Sequence, residues 1–322
     1  MMDQFTPITG LSNAHIQTLL PRLLRRHPLF KAYWQRLELP DGDFVDLAWS
    51  ENPNTAGKKP LFILFHGLEG SFESPYANGL LSAAKEQGWL GVMMHFRGCS
   101  DVPNRLEKAY HSGETEDARF FLETIHDRFP NRVKVATGVS LGGNMLVNYL
   151  AKYNSNTLLN AATIISAPLD LSACSERIQQ GFSRVYQGYL LRSLKTNSIK
   201  KLTSTRKHIV GLDKDMIAAI PDLLQFDNLI TAPLNGYADA QDYYQQCSGL
   251  QFLNDINIPT RIIHAKDDPF MTTAVIPTHP LPNCVHYQLT EHGGHVGFIN
   301  GSMTKPNFWL EDTVNRWFQT VV

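Results

Sequence analysis

The chain has 322 residues and a formal net charge of -1, with 43% hydrophobic and 18% charged side chains. That composition suits a globular protein with a sizeable core, as one large domain with an insertion or as two domains, and gives no electrostatic case for nucleic-acid binding. The four cysteines, Cys99, Cys174, Cys247 and Cys284, are far apart in the chain and form no C-x-x-C, which argues against a disulfide framework or a cysteine zinc site and suits a reducing compartment.

The stretch from Met1 to Pro7 has no basic segment followed by an apolar core, and no apolar run approaches the roughly 18 residues of a membrane span. The expected location is therefore cytoplasmic. Within residues 1–33, Ile16, Leu19, Leu20, Leu23 and Leu24 give a short amphipathic pattern interrupted by Pro21, beside a basic cluster of Arg22, Arg25, Arg26 and His27. The expectation is an N-terminal arm packed on the core through its leucines; the alternative is a weak membrane-surface contact.

Trp34 to Trp49 reads as a β-hairpin around the turn Pro40-Asp41-Gly42. Leu61-Phe62-Ile63-Leu64-Phe65 is a continuous apolar run, the mark of a strand buried on both faces. Helical spacing from Tyr76 to Gln87, a second apolar strand from Leu90 to Phe96, and a helix from Glu114 to Phe129 follow. Arg132 to Thr137 is a further strand, Leu141 to Leu150 a helix, and Ala161 to Ile165 another strand. Strands that alternate with helices predict an α/β fold: a mostly parallel sheet covered on both faces.

From 170 to 255 no buried strand is predicted, only helical stretches. Between Arg177 and Lys207 lie eight Lys or Arg and no acid; between Ile209 and Asp255 lie seven Asp and one Lys. The two halves are expected to pair with each other, the alternative being a basic half that faces an anionic substrate or headgroup. The sheet pattern resumes at Thr260–His264 and ends with Cys284–Leu289, and Phe308 to Phe318 closes the chain as an amphipathic helix. The predicted organisation is a core of residues 1–169 and 256–322, with the arm 1–33, and a helical cap inserted at 170–255. Phe182, Tyr186, Tyr189 and Leu190 are candidate pocket liners there, although such a stripe also suits a helix core.

Gly138-Val139-Ser140-Leu141-Gly142 lies between a predicted strand and a predicted helix. A serine there sits on a sharp turn, with its hydroxyl outward beside the free N–H groups of a helix N-terminus. Serine is a poor nucleophile without a base, and the base needs an orienting carboxylate. Asp267 and Asp268 follow the strand ending at His264, and His292 and His295 follow the last strand. Asp268, four residues past the strand end and just before Pro269, is preferred over Asp267; His295, after paired glycines, is preferred over His292. His292-x-x-His295 lacks the helical or cysteine context of a metal site, so neither metal nor cofactor is expected. The backbone amides of Leu141 and Leu68, the latter just after His66-Gly67, are the expected oxyanion donors.

With these parts in place the chain resembles the α/β-hydrolase superfamily and, more narrowly, the bacterial YheT-like hydrolases, relatives of eukaryotic α/β-hydrolase-domain lipases and yeast medium-chain acyl esterases. The stretches that carry the resemblance are Asn13 to Leu19, His66 to Gly70, Phe96 to Ser100, Tyr110 to Gly113, Gly138 to Asn144 and Gly293 to Phe298. The resemblance implies an α/β-hydrolase fold and a carboxylic-ester hydrolase, of esterase or acylglycerol-lipase type, and carries the triad roles onto Ser140, Asp268 and His295. The expected substrate is a small acyl ester, short- to medium-chain or lipid-like. An acyltransferase using the same acyl-enzyme and a non-catalytic small-molecule-binding protein are the alternatives.

Overall fold

A computed structural model describes residues 4–205 and 209–322. The arm carries α1 (Ala14–Leu24) and leads into a hairpin of β1 (Tyr33–Glu38) and β2 (Phe44–Trp49). Then come β3 (Leu61–Phe65), α2 (Pro75–Glu86), β4 (Leu90–Met94), α3 (Glu116–Arg128), β5 (Lys134–Val139), α4 (Leu141–Tyr153) and β6 (Ala161–Ile165). The chain next passes through α5 (Leu171–Ile178), α6 (Ser183–Thr205), α7 (Lys214–Ala219), α8 (Leu223–Phe226), α9 (Ala232–Leu234) and α10 (Ala240–Cys247). It returns in β7 (Thr260–Ala265), β8 (Val285–Thr290), a short hairpin of β9 (Ile299–Gly301) and β10 (Pro306–Phe308), and α11 (Trp309–Val321).

The main sheet has eight strands in the order β1-β2-β4-β3-β5-β6-β7-β8. The first two pairings are antiparallel and all the others parallel. Every residue of β3 to β7 is buried, because helices cover both faces. The pleat of β3 shows the division: Leu61, Ile63 and Phe65 enter the core under α3 and α4, whereas Phe62 and Leu64 enter the one under α2 and α11. The continuous apolar runs in the sequence are the direct consequence of this two-sided burial.

Two expectations fail. The arm is not held by its leucines: Leu19, Leu23 and Leu24 are exposed, and the buried residues of α1 are Gln17 and Pro21. Gln17 donates to the carbonyls of Leu11 and Ile299 and accepts from the amide of Ile299, at 2.8, 3.2 and 2.7 Å. Three satisfied hydrogen bonds to a buried amide anchor the helix where apolar contact was expected.

Nor do Arg177, Arg184, Arg192, Lys195 and Lys200 of the basic half meet the acidic half as expected. Among the described residues, Arg177, Arg184, Arg192, Lys195 and Lys200 form no ion pair with the later aspartates; Arg206 and Lys207 lie outside the described residues. Instead Asp213, Asp222 and Asp239 accept from the amides of Met216, Gln225 and Asp242 as helix N-caps. A carboxylate satisfies the orphan N–H groups of its own helix with no long-range partner. The acidic run thus reflects several short helices, each with its own cap.

Candidate active site

Ser140 sits between β5 and α4 at φ 52° and ψ -122°, a sparsely populated conformation that turns the side chain out of the sheet. Its amide is held by the carbonyl of Ile165, 2.8 Å away on the next strand, and its carbonyl accepts from Gly143 and Asn144. The hydroxyl lies 3.0 Å from Nε2 of His295. Nδ1 of the same ring lies 2.8 Å from Oδ2 of Asp268. Because a carboxylate only accepts, Nδ1 carries the proton and Nε2 is left to accept from the serine.

Asp268 is buried, and its other oxygen accepts from the amide of Phe270 at 2.9 Å. Phe270 then stacks on the imidazole, with ring centroids 4.0 Å apart and planes 12° apart. The neighbouring Asp267 turns elsewhere: it accepts from the amide of Gly294 at 2.9 Å and faces the exposed His292 at 3.3 Å. So the structure brings Asp268 and His295 to Ser140 and leaves Asp267 and His292 to fasten the loop behind them. Burial raises the Asp267 carboxyl above its ordinary range, against the pull of those hydrogen bonds.

That loop rests on the N-terminal helix. Thr18 accepts from the amide of His295 at 2.9 Å while donating to the carbonyl of Ala14 at 2.7 Å. Gly294 has φ 58°, and a Cβ there would come 2.5 Å from the carbonyl of Ala14, so the site needs both its left-handed backbone and its missing side chain. Sequence periodicity did not reveal this support. The signal was the polar pair Gln17-Thr18 inside an apolar pattern, whose partners at Ile299 and His295 lie more than 270 residues away.

The loop after β3 closes the other side. A Cβ on Gly67 would lie 3.1 Å from that of Ser140, and Leu68 lines the same cavity as Ser140. No hydrogen bond among the described residues takes up the amide of Leu68 or Leu141. His66 braces this loop: Nδ1 donates to the carbonyl of Gly67 at 2.7 Å and Nε2 accepts from Phe96 at 2.9 Å. Burial lowers its pKa to about 3, so the ring is neutral. Glu69, at φ 54°, is fixed by Tyr110, which donates to its carboxylate and accepts from its amide, both at 2.8 Å. Asn197 on α6 donates to the second carboxylate oxygen at 2.5 Å.

The remaining motif residues tie elements together. Arg97 is buried and pairs with Asp117 through two bonds of 2.6 Å, with Asp43 at 3.0 Å and with Asp41 at 2.7 Å. Burial opposes its charge, but Asp117 and Asp41 carry its pKa above the ordinary value. Asn144, also buried, donates to Ser112 and to the carbonyl of Cys247 and accepts from Gly249 at 2.8 Å.

Above Ser140 lies a cavity of about 680 Å³ lined by Leu68, Leu141 and His295 below and by residues of α5, α6, α8, α9 and α10 above. Phe182, Tyr186, Tyr189 and Leu190 all reach it. Tyr186 is also part of an apolar cluster with Ile178, Leu194, Ile217 and Phe226, whereas Phe182 and Tyr189 stand at the rim, 52% and 49% exposed. Among the described residues no helix is long and apolar enough to cross a membrane.

The fold and this arrangement define an α/β-hydrolase. The sequence profile of the alpha/beta hydrolase fold family matches residues 60–302, and the chain belongs to that family. It is 55% identical over 318 residues to "Putative esterase YheT" of Escherichia coli (strain K12), across 98% of this chain and 93% of that protein. It is 28% identical over 328 residues to "Phospholipase ABHD3" of Mus musculus, across 99% of this chain and 79% of that one. Among solved structures, the esterase Pf2001 of Pyrococcus furiosus shares the fold, with a TM-score of 0.58 at 14% identity over 91% of this chain and 93% of that chain.

Proposed function

We propose that this protein is a serine esterase that cleaves carboxylic esters of small acyl or lipid-like substrates, with Ser140, His295 and Asp268 as its triad. The observation that carries the reading is the continuous hydrogen-bonded chain from Asp268 through His295 to Ser140. The relatives named as an esterase and a phospholipase are consistent with it.

His295 Nε2 takes the hydroxyl proton as Ser140 Oγ attacks the acyl carbon. Asp268 holds the tautomer and stabilises the imidazolium that forms. The negative charge on the carbonyl oxygen is met by the amides of Leu68 and Leu141, fixed before the reaction begins. The imidazolium protonates the departing alcohol, giving an acyl-serine. His295 then deprotonates water, which attacks the acyl carbon and releases the acid. Residues 170–255 act in this account as a cap whose apolar inner wall takes the acyl chain.

The test is hydrolysis of nitrophenyl esters from acetate to decanoate by wild type and Ser140→Ala. The variant should lose about 10⁴-fold or more in kcat, and equal turnover in both would overturn the assignment.

A further inference from the structure

Two helices present apolar side chains to solvent that neither the fold nor the triad uses. On α1, Ile16, Leu19, Leu23 and Leu24 recur at helical spacing and are 40%, 44%, 62% and 43% exposed. Phe182, Val185 and Tyr189, leading into and along α6, sit at positions i, i+3 and i+7 and are 52%, 59% and 49% exposed. The two faces adjoin. Arg22 donates to the Tyr189 hydroxyl at 2.6 Å with its guanidinium over the ring, and the His15 ring lies 4.5 Å from that of Phe182. An apolar surface of this extent marks a contact site in a folded protein. It is also the rim of the cavity over Ser140, because Leu19, Arg22, Phe182, Val185 and Tyr189 line both.

Charge identifies the occupant. Neither α1 nor α6 contains an Asp or Glu. Arg22, Arg26, Arg184 and Arg192 stand exposed on or beside them. A second copy docked through the same face would set these cations against their own equivalents. A protein partner seated on the rim would also block the way to the serine. An anionic lipid surface matches the cations, takes up the apolar side chains and leaves the cavity facing its ester source.

We propose that the α1–α6 face docks on an anionic lipid bilayer and seats the cavity mouth against it. Docking needs no chemistry at Ser140, so the esterase reading and this one can fail separately.

The test is flotation of the full chain with vesicles of phosphatidylcholine alone and of phosphatidylcholine mixed with phosphatidylglycerol. Wild type should bind the anionic vesicles at least about ten-fold better than the neutral ones and lose that preference at about 1 M salt. Leu23→Asp, on the exposed side of α1, and Arg26→Glu, among the exposed residues just after it, lie outside the cavity, and each should weaken binding about five-fold or more. Both should keep wild-type turnover of a soluble short-chain ester, which shows that they fold. Ser140→Ala should bind like wild type. Wild type that floats with neither vesicle would overturn the proposal, and so would Leu23→Asp and Arg26→Glu binding as wild type does. A wild-type dimer in sedimentation that Leu23→Asp makes monomeric would also overturn it, by assigning the face to a second copy.

Discussion

The floor and the roof of the cavity are built on different principles. In the floor, polar groups are fixed by partners far away in sequence: the Asp268 carboxylate by His295, the backbone of the His295 loop by Thr18, and the amide of Ser140 by the carbonyl of Ile165 on the neighbouring strand. In the roof, aspartates cap their own helices and apolar residues such as Ile178, Leu194, Ile217 and Phe226 supply the cohesion. A few ties join the two, among them Ser183 donating to the carbonyl of Pro269 at 2.6 Å and Asn197 donating to Glu69. Long-range hydrogen bonds over-determine positions, which suits chemistry that fails when misplaced by an ångström. Locally capped helices on an apolar cluster can change side chains without moving the floor, which suits the selection of a substrate shape.

The sharpest way to break this contrast lies at the adjacent aspartates. Asp268→Asn should lower kcat by about 10⁴-fold, because the imidazole loses its tautomer and its counter-charge. Asp267→Asn, which only loosens the loop behind, should stay within about ten-fold on the same ester. Comparable losses in the two variants would mean that loop fastening, not the orientation and charge stabilisation of His295, dominates.

The rigidity of the floor is tested at Arg97. Arg97→Met strands the buried carboxylates of Asp43 and Asp117 and should cost about 3–5 kcal/mol in urea unfolding. A loss under about 1 kcal/mol would show that the cluster is not integral.

In the roof, Asp227 is tied by the hydroxyls of Thr231 and Tyr244, both at 2.7 Å, and burial raises its pKa to about 6. The native state then holds this proton more tightly than the unfolded chain does. The protonated form is at no disadvantage at low pH, and stability falls as pH rises from about 4 through about 6, by up to about 3 kcal/mol. Asp227→Asn should remove that decline in thermal scans; an unchanged decline would place its origin elsewhere.

The smallest effect is expected where floor and roof meet. Glu69→Ala unfastens both Tyr110 and Asn197 from the loop that carries Leu68, and should lower kcat about ten-fold with little change in KM. Unchanged kcat would show that the loop holds its place without the roof.

Legibility in the sequence followed the same division. Strands β3 and β4 were readable because burial on both faces leaves no polar residue to break their apolar runs, and Gly138 to Gly142 because a strand–turn–helix junction constrains composition locally. Asp268 and His295 stood out by chain order after late strands. The role of Gln17 was not readable, because its partners are at Leu11 and Ile299 and no local pattern points to them. The leucines of α1 misled for a related reason: helical spacing shows that a face exists, not what covers it. The charge asymmetry of 177–255 misled because a run of aspartates looks the same whether it meets lysines or caps helices.

The central claim is that Ser140 is an activated nucleophile. Intact-mass analysis of the folded protein after exposure to a fluorophosphonate tests it most directly. Wild type should gain one phosphonyl adduct, mapped to Ser140, and Ser140→Ala and His295→Ala should gain none. A wild-type protein that stays unmodified, or an adduct that persists in Ser140→Ala, would contradict the account.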